Sequence, residues 1–127
     1  MGKGWERGKA NQLQKRISDF KKRIIRRLSS VLPRTKNGQH VSNQIFKSAT
    51  SVSANYAEAR SAESEDDFIH KLKLARKELG ETADWLETIE SAGMINPKRL
   101  VAIRDENDQL CRILTATLNT LRKNLKS

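Results

Sequence analysis

The sequence predicts an all-α protein, an antiparallel up-down four-helix bundle, and three observations carry that expectation. Apolar residues recur at three- and four-residue steps through four separate stretches, the period of helices with one buried side. The segments between them are short and hold Pro, Gly, Asn or Ser, so consecutive helices must fold back as neighbours. Aromatic residues make up only 5% of the chain and there are two prolines, a composition that suits helices. At 127 residues the chain fits one domain with a packed core.

Residues 1–10 contain three glycines and no period, and are expected to form a flexible leader, with the bundle spanning 11–127. The first helix is predicted over about 11–32. Leu13, Ile17, Phe20, Ile24, Leu28 and Val31 fall along one side of it. Pro33 disfavours helix at Leu32, and Asn37-Gly38 reads as a turn. The second helix, about 40–60, carries Val41, Ile45, Ala49, Val52, Tyr56 and Ala59 among many small residues. Their helix propensity is middling, so packing must hold it.

Ser64 followed by Asp67 resembles a capping box, and the acids around it suit the positive end of a helix dipole. The third helix therefore runs over about 64–92, with Phe68, Leu72, Ala75, Leu79, Ala83 and Leu86 inward and Gly93 as a left-handed cap. Asn96-Pro97 opens the fourth, about 97–125. Its seam of Leu100, Ile103, Asn107, Leu110, Leu114, Leu118, Leu121 and Leu125 has coiled-coil spacing. Apolar residues off these stripes, Ile25, Leu32, Leu74, Trp85 and Ile89, are expected to form an oligomer interface, because a lone bundle leaves them uncovered.

The net charge of +10 resides entirely in the first forty residues. Lys and Arg outnumber acids 12 to two between Met1 and His40, and then match them 13 to 13. The expected nucleic-acid contacts are Lys15, Arg16, Lys21, Lys22, Arg23, Arg26 and Arg27 on the first helix, with Arg34 beyond it. Like-charge neighbours there cost roughly 1 kcal/mol in total, whereas six buried apolar side chains contribute roughly 10 gross, so the helix tolerates its own repulsion. Acids of the third helix (Glu78, Glu81, Asp84, Glu87, Glu90) could neutralise part of it, but the balanced remainder of the chain cannot absorb the whole excess. No aromatic residue is seen to form a stacking platform, Trp5 of the leader being the one candidate, so the expectation is readout of backbone charge or RNA shape. RNA is favoured over DNA. A membrane-surface helix has a similar pattern but needs its apolar stripe free, and no run approaches the ~18 apolar residues of a membrane span.

Nothing in the sequence announces an enzyme. Two histidines and one cysteine do not make a metal site, and there is no phosphate-binding glycine loop or nucleophile elbow, so neither catalytic residues nor a metal or cofactor are expected. Cys111 has no partner for a disulfide and no secretory signal opens the chain, which points to a cytoplasmic protein. Gln44, Asn55, Glu58 and Asn107 lie in or beside the apolar stripes and are expected to form a structural polar network.

The text QIFKSATSVSANYAEA followed by FIHKLKLARKELGE resembles the four-helix-bundle family encoded in intervening sequences of large-subunit ribosomal RNA genes. The resemblance rests on Gln44, Ser51, Val52, Asn55, Ala57, Glu58, Phe68, Ile69, Leu72, Ala75, Leu79 and Glu81, and covers about the middle third. It implies an up-down bundle assembled into a homopentameric ring, a form shared with the accessory protein of diversity-generating retroelements, which serves a reverse transcriptase and its RNA. Two functions follow as expectations: an oligomeric RNA-binding accessory protein, or a scaffold for a reverse transcriptase or other nucleic-acid enzyme. This chain has Ala59 where the family usually carries Gly after the motif's Glu, and since Ala does not take positive φ cheaply the resemblance does not fix where its second helix ends.

Overall fold

The computed structural model describes the backbone of residues 4–126 and the side chains of residues 7–124. All of its regular structure is helical. The first helix, α1, comprises Gly4–Arg23, a π-helical turn at Ile24–Leu28 and a final turn Ser29–Val31; α2 is Lys36–Arg60, α3 is Glu65–Ser91, and α4 is Val101–Lys126 after a 3-10 turn at Pro97–Arg99. The most extensive packing is between α2 and α3, followed by α3 with α4; α1 lies on α2 and, less extensively, on α4.

Expected and observed helices differ at the start of α1 and at the start of α2. The leader is helical from Gly4 onward, which corrects the expectation of a flexible 1–10 for its described part. α2 reaches up beside it: the Tyr56 hydroxyl lies 3.4 Å from the Ala10 carbonyl oxygen, and Arg60 donates to Asn11 at 2.7 Å and Gln14 at 2.6 Å. Further on, α2 starts at Lys36, so Asn37-Gly38 belongs to its first turn and is not a separate turn. Thr35 is the N-cap and accepts from the Gly38 backbone N–H at 3.1 Å.

Gly38 is required by a close approach of backbone. A Cβ built there would stand 2.0 Å from the Pro33 carbonyl oxygen. Gly38→Ala must push the α1–α2 connection apart, and we expect a loss of about 1–3 kcal/mol, read as a lower denaturant midpoint with an unchanged m-value.

The α3 boundaries match the local signals. Ser64 accepts from the Asp67 N–H at 3.0 Å, and Gly93 takes φ of 67° while Met94 N–H donates to the Ile89 carbonyl at 3.0 Å. At the end of α2, where the chain departs from the family motif, Ala59 is buried and the helix continues through Arg60.

One core joins all four helices. It takes Ile17, Phe20, Ile24 and Leu28 from α1, Ile45, Ala49 and Val52 from α2, Leu72, Leu79 and Leu86 from α3, and Ile103, Leu110 and Leu114 from α4. Leu32 and Ile89 belong to it too, at 6% and 0% exposure, which corrects their expected place on an oligomer interface. Leu32 turns inward because of the π-turn. From Phe20 through Ile24 and Leu28 to Leu32 every step is four residues, which drifts about 40° per step around an α-helix. A turn with i→i+5 bonding spends the extra residue and returns Leu32 to the core side, leaving Val31 only half-buried. Ser29 and Ser30 follow it, their hydroxyls donating to the carbonyls of Ile25 and, at 3.1 Å, Arg26.

Candidate nucleic-acid interface

The buried stripe of α1 fixes where its cations stand. With Ile17, Phe20, Ile24 and Leu28 inward, Lys22 and Arg26 are exposed and Arg23 is half-buried at the flank. Lys22, Arg23, Arg26 and Arg27 line one open depression of about 310 Å³ with Asp19. Asp19 is also held by Lys15, its carboxylate 2.8 Å from Nζ. That hydrogen bond above all, helped by the fields of Lys15 and Lys22, keeps the Asp19 pKa below the ordinary carboxylate value against the opposing effect of desolvation.

The eight expected basic contacts divide into two groups. Arg16 donates through Nε and Nη2 to Glu106 at 3.1 and 2.6 Å and reaches Gln109 at 3.1 Å, so it ties α1 to α4 and is not offered to a ligand. Lys21 is turned toward Ser53 of α2 at 3.3 Å, and Lys15 shares Asp19. Among the described residues, Lys22, Arg23, Arg26, Arg27 and the exposed Arg34 have no ion-pair partner. The third-helix acids do not neutralise this ridge in the monomer: Glu90 pairs with Arg104 of α4, and Glu78 stands beside Glu81, its pKa raised first by desolvation and then by that neighbour.

The expected polar network is not one unit. Asn55 Nδ2 donates to the Ser51 carbonyl at 2.9 Å, Glu58 is exposed and pairs with Lys71 at 3.1 Å, and Gln44 is half-buried. Asn107 alone is in the core, at 3% exposure; its Nδ2 donates to the Leu79 carbonyl at 3.2 Å while Oδ1 has no partner. Small residues on α2 put Ser48 where the network was not expected, with its hydroxyl 2.8 Å from that of buried Thr82 on α3.

Of the residues expected at an oligomer interface, Ile25, Leu74 and Trp85 are half-buried, Trp85 edge-on to His40 with ring centroids 5.8 Å apart. Among the described residues, the large apolar side chains that stand exposed are Phe46 at 49% and Val101 at 65%. Phe46 was legible only as a residue left over by the Val41, Ile45, Ala49 stripe. The side chain of Trp5, the expected stacking candidate, lies outside the described residues, as does that of Leu125 at the end of the fourth-helix seam. Among the described residues no three His, Cys, Asp or Glu side chains gather as a metal site would require, and no helix is long and apolar enough to cross a membrane.

The family model of the 23S rRNA-intervening sequence protein matches residues 9–116, reaching from the second turn of the basic helix far into α4. The chain belongs to this family. A 23S rRNA-intervening sequence protein is thereby recognised well beyond the middle third that carries the motif. A solved structure is similar throughout: a protein of unknown function from the S23 ribosomal protein family of Bacteroides thetaiotaomicron VPI-5482, at 31% identity and a TM-score of 0.77, over 87% of this chain and 98% of that one. A search of the curated proteins finds no match.

Proposed function

We propose that this chain is an oligomeric, cytoplasmic RNA-binding accessory protein that acts by binding and not by catalysis. Lys22, Arg23, Arg26, Arg27 and Arg34 contact the phosphate backbone. The observation that carries this reading is the exposed, unpaired cation ridge on α1, directly opposite a stripe that the core buries. Arg ligates phosphate bidentately, and cations that neutralise phosphates release condensed counterions. Membership of a family described by ribosomal RNA intervening sequences agrees with an RNA partner.

The same reading takes the helices as alternating up and down and the assembly as a homopentameric ring. Cross-helix pairs support the alternation. Arg60 meets Gln14 while the earlier Ser53 meets the later Lys21; Glu58 meets Lys71 while Ser48 meets Thr82; Arg76 meets Thr115 while Glu90 meets Arg104. The half-buried Ile25, Leu74 and Trp85 supply apolar surface for neighbours in the ring.

A salt titration of binding to a fluorescent single-stranded RNA, with solution mass from light scattering, tests both parts. Four or more phosphate contacts give a slope of log K against log salt of about −3 or steeper. The mass expected is five times that of the 14.5-kDa chain. Binding that ignores salt overturns the RNA reading, and a monomeric mass overturns the ring.

A further inference from the structure

Phe46 lies on the seam between α1 and α2, and its position follows from its neighbours. Phe46, Ser53 and Arg60 are seven residues apart, two turns each, and therefore share a side of α2. Arg60 bonds Asn11 and Gln14 of α1, and Ser53 bonds Lys21, so the contact moves toward the end of α1 as it moves toward the start of α2. Two further turns, about 11 Å, bring Phe46 level with the π-turn at Ile24–Leu28. Arg26, an exposed cation of the ridge, lies within that turn, and Lys22 stands two residues before it.

The surroundings of that ring are unusual in charge. Not one carboxylate occurs between Asp19 and Glu58, so neither the second half of α1 nor most of α2 carries a group that would repel a phosphate. The α2 residues one turn to either side, Ser42, Asn43, Ala49 and Thr50, are small and uncharged and leave the ring 49% exposed. A half-bare aromatic ring one helix away from exposed cations is an arrangement that single-stranded nucleic-acid surfaces use: cations follow the backbone and the ring accepts the face of a base. A duplex, with its bases already stacked, gains nothing from the ring.

We infer that Phe46 is a base-stacking platform and that the α1–α2 seam therefore prefers unpaired RNA nucleotides to duplex. This rests on the proposed RNA-binding function and names the form of RNA that the same ridge takes.

The experiment compares a 12-nucleotide oligouridylate with an RNA duplex of equal length, on the full chain and on Phe46→Ala, Phe46→Leu and Phe46→Trp. Since the side chain is half exposed, all four proteins should melt within a few degrees of one another. The parent should bind the single strand more tightly; Phe46→Ala should weaken that binding about tenfold, with the salt slope and duplex binding unchanged. Phe46→Trp should keep the affinity, and Phe46→Leu, apolar without a π-face, should not. Equal affinity of Phe46→Ala and parent for the oligouridylate, full affinity of Phe46→Leu, or a parent preference for duplex overturns the inference while leaving salt-dependent RNA binding intact. A change of solution mass in Phe46→Ala overturns it in favour of a subunit contact. Absence of salt-dependent binding to either RNA overturns the inference together with the function on which it rests.

Discussion

Replacing Lys22, Arg23, Arg26 and Arg27 together with Glu is expected to weaken RNA binding by about three orders of magnitude at 0.1 M salt, with the helical fold intact. Each lost phosphate contact removes about 0.7 from the slope of log K against log salt, so four of them account for close to three decades between 0.1 and 1 M. The introduced carboxylates repel phosphate as well, making that a lower bound. Stability should hold because these side chains border an open depression and make no ion pair with another helix. Arg16→Glu is the informative contrast. It breaks a paired link to Glu106 and sets two carboxylates together, so it should lower the melting temperature yet affect RNA binding far less than the quadruple variant. Anisotropy titrations and circular-dichroism melts on both proteins check the pair of outcomes, and loss of binding in Arg16→Glu alone would shift the interface toward α4.

Phe20→Ala should cost about 3–5 kcal/mol, lowering the melting temperature by roughly 10–20 °C. Phe20 is 1% exposed, among the largest wholly buried side chains, and it reaches the core from the very helix that bears the cations. The measurement therefore decides between two lives for a basic amphipathic helix. If α1 were a membrane-surface helix, its stripe would have to leave the protein, and truncating Phe20 would reduce liposome binding with little effect on the remaining fold. With Ile17, Phe20, Ile24 and Leu28 all between 1% and 2% exposed, the expected result is loss of stability and no flotation of the intact protein with anionic vesicles.

Local chemistry was legible in the sequence, and contacts made over distance were not. Ser64 with Asp67, Gly93, and Asn96 before Pro97 could be read because a cap is settled within a few residues of itself. The cationic ridge was legible for the same reason, since charge and helical phase both belong to one segment. Arg16 could not be separated from its neighbours: its partner Glu106 is 90 residues away, and nothing in the spacing selects it from the other acids. Ile89 fell outside the predicted α3 stripe yet is wholly buried, since the core includes Ile95 and Leu100 from the connection to α4 and wraps the end of that helix. Asn37-Gly38 has turn composition, and only the nearness of Pro33 explains why Gly is needed inside a helix. Gln44, Asn55 and Glu58 share a motif but not a contact, so proximity in sequence was mistaken for proximity in space.

The widened turn at Ile24–Leu28 gives α1 a store of slack that none of the other long helices is described as having. Removing one amino acid there would let the hydrogen bonding revert to the ordinary pattern, with Ile17 on one side and Leu32 on the other still seated in their own sockets. The same deletion in the middle of α3 would turn every later side chain by about 100° and pull Leu79, Leu86 and Ile89 out of the interior. The segment that carries the arginines is thus a helical stretch where chain length and charge spacing can vary without unsettling the scaffold beneath.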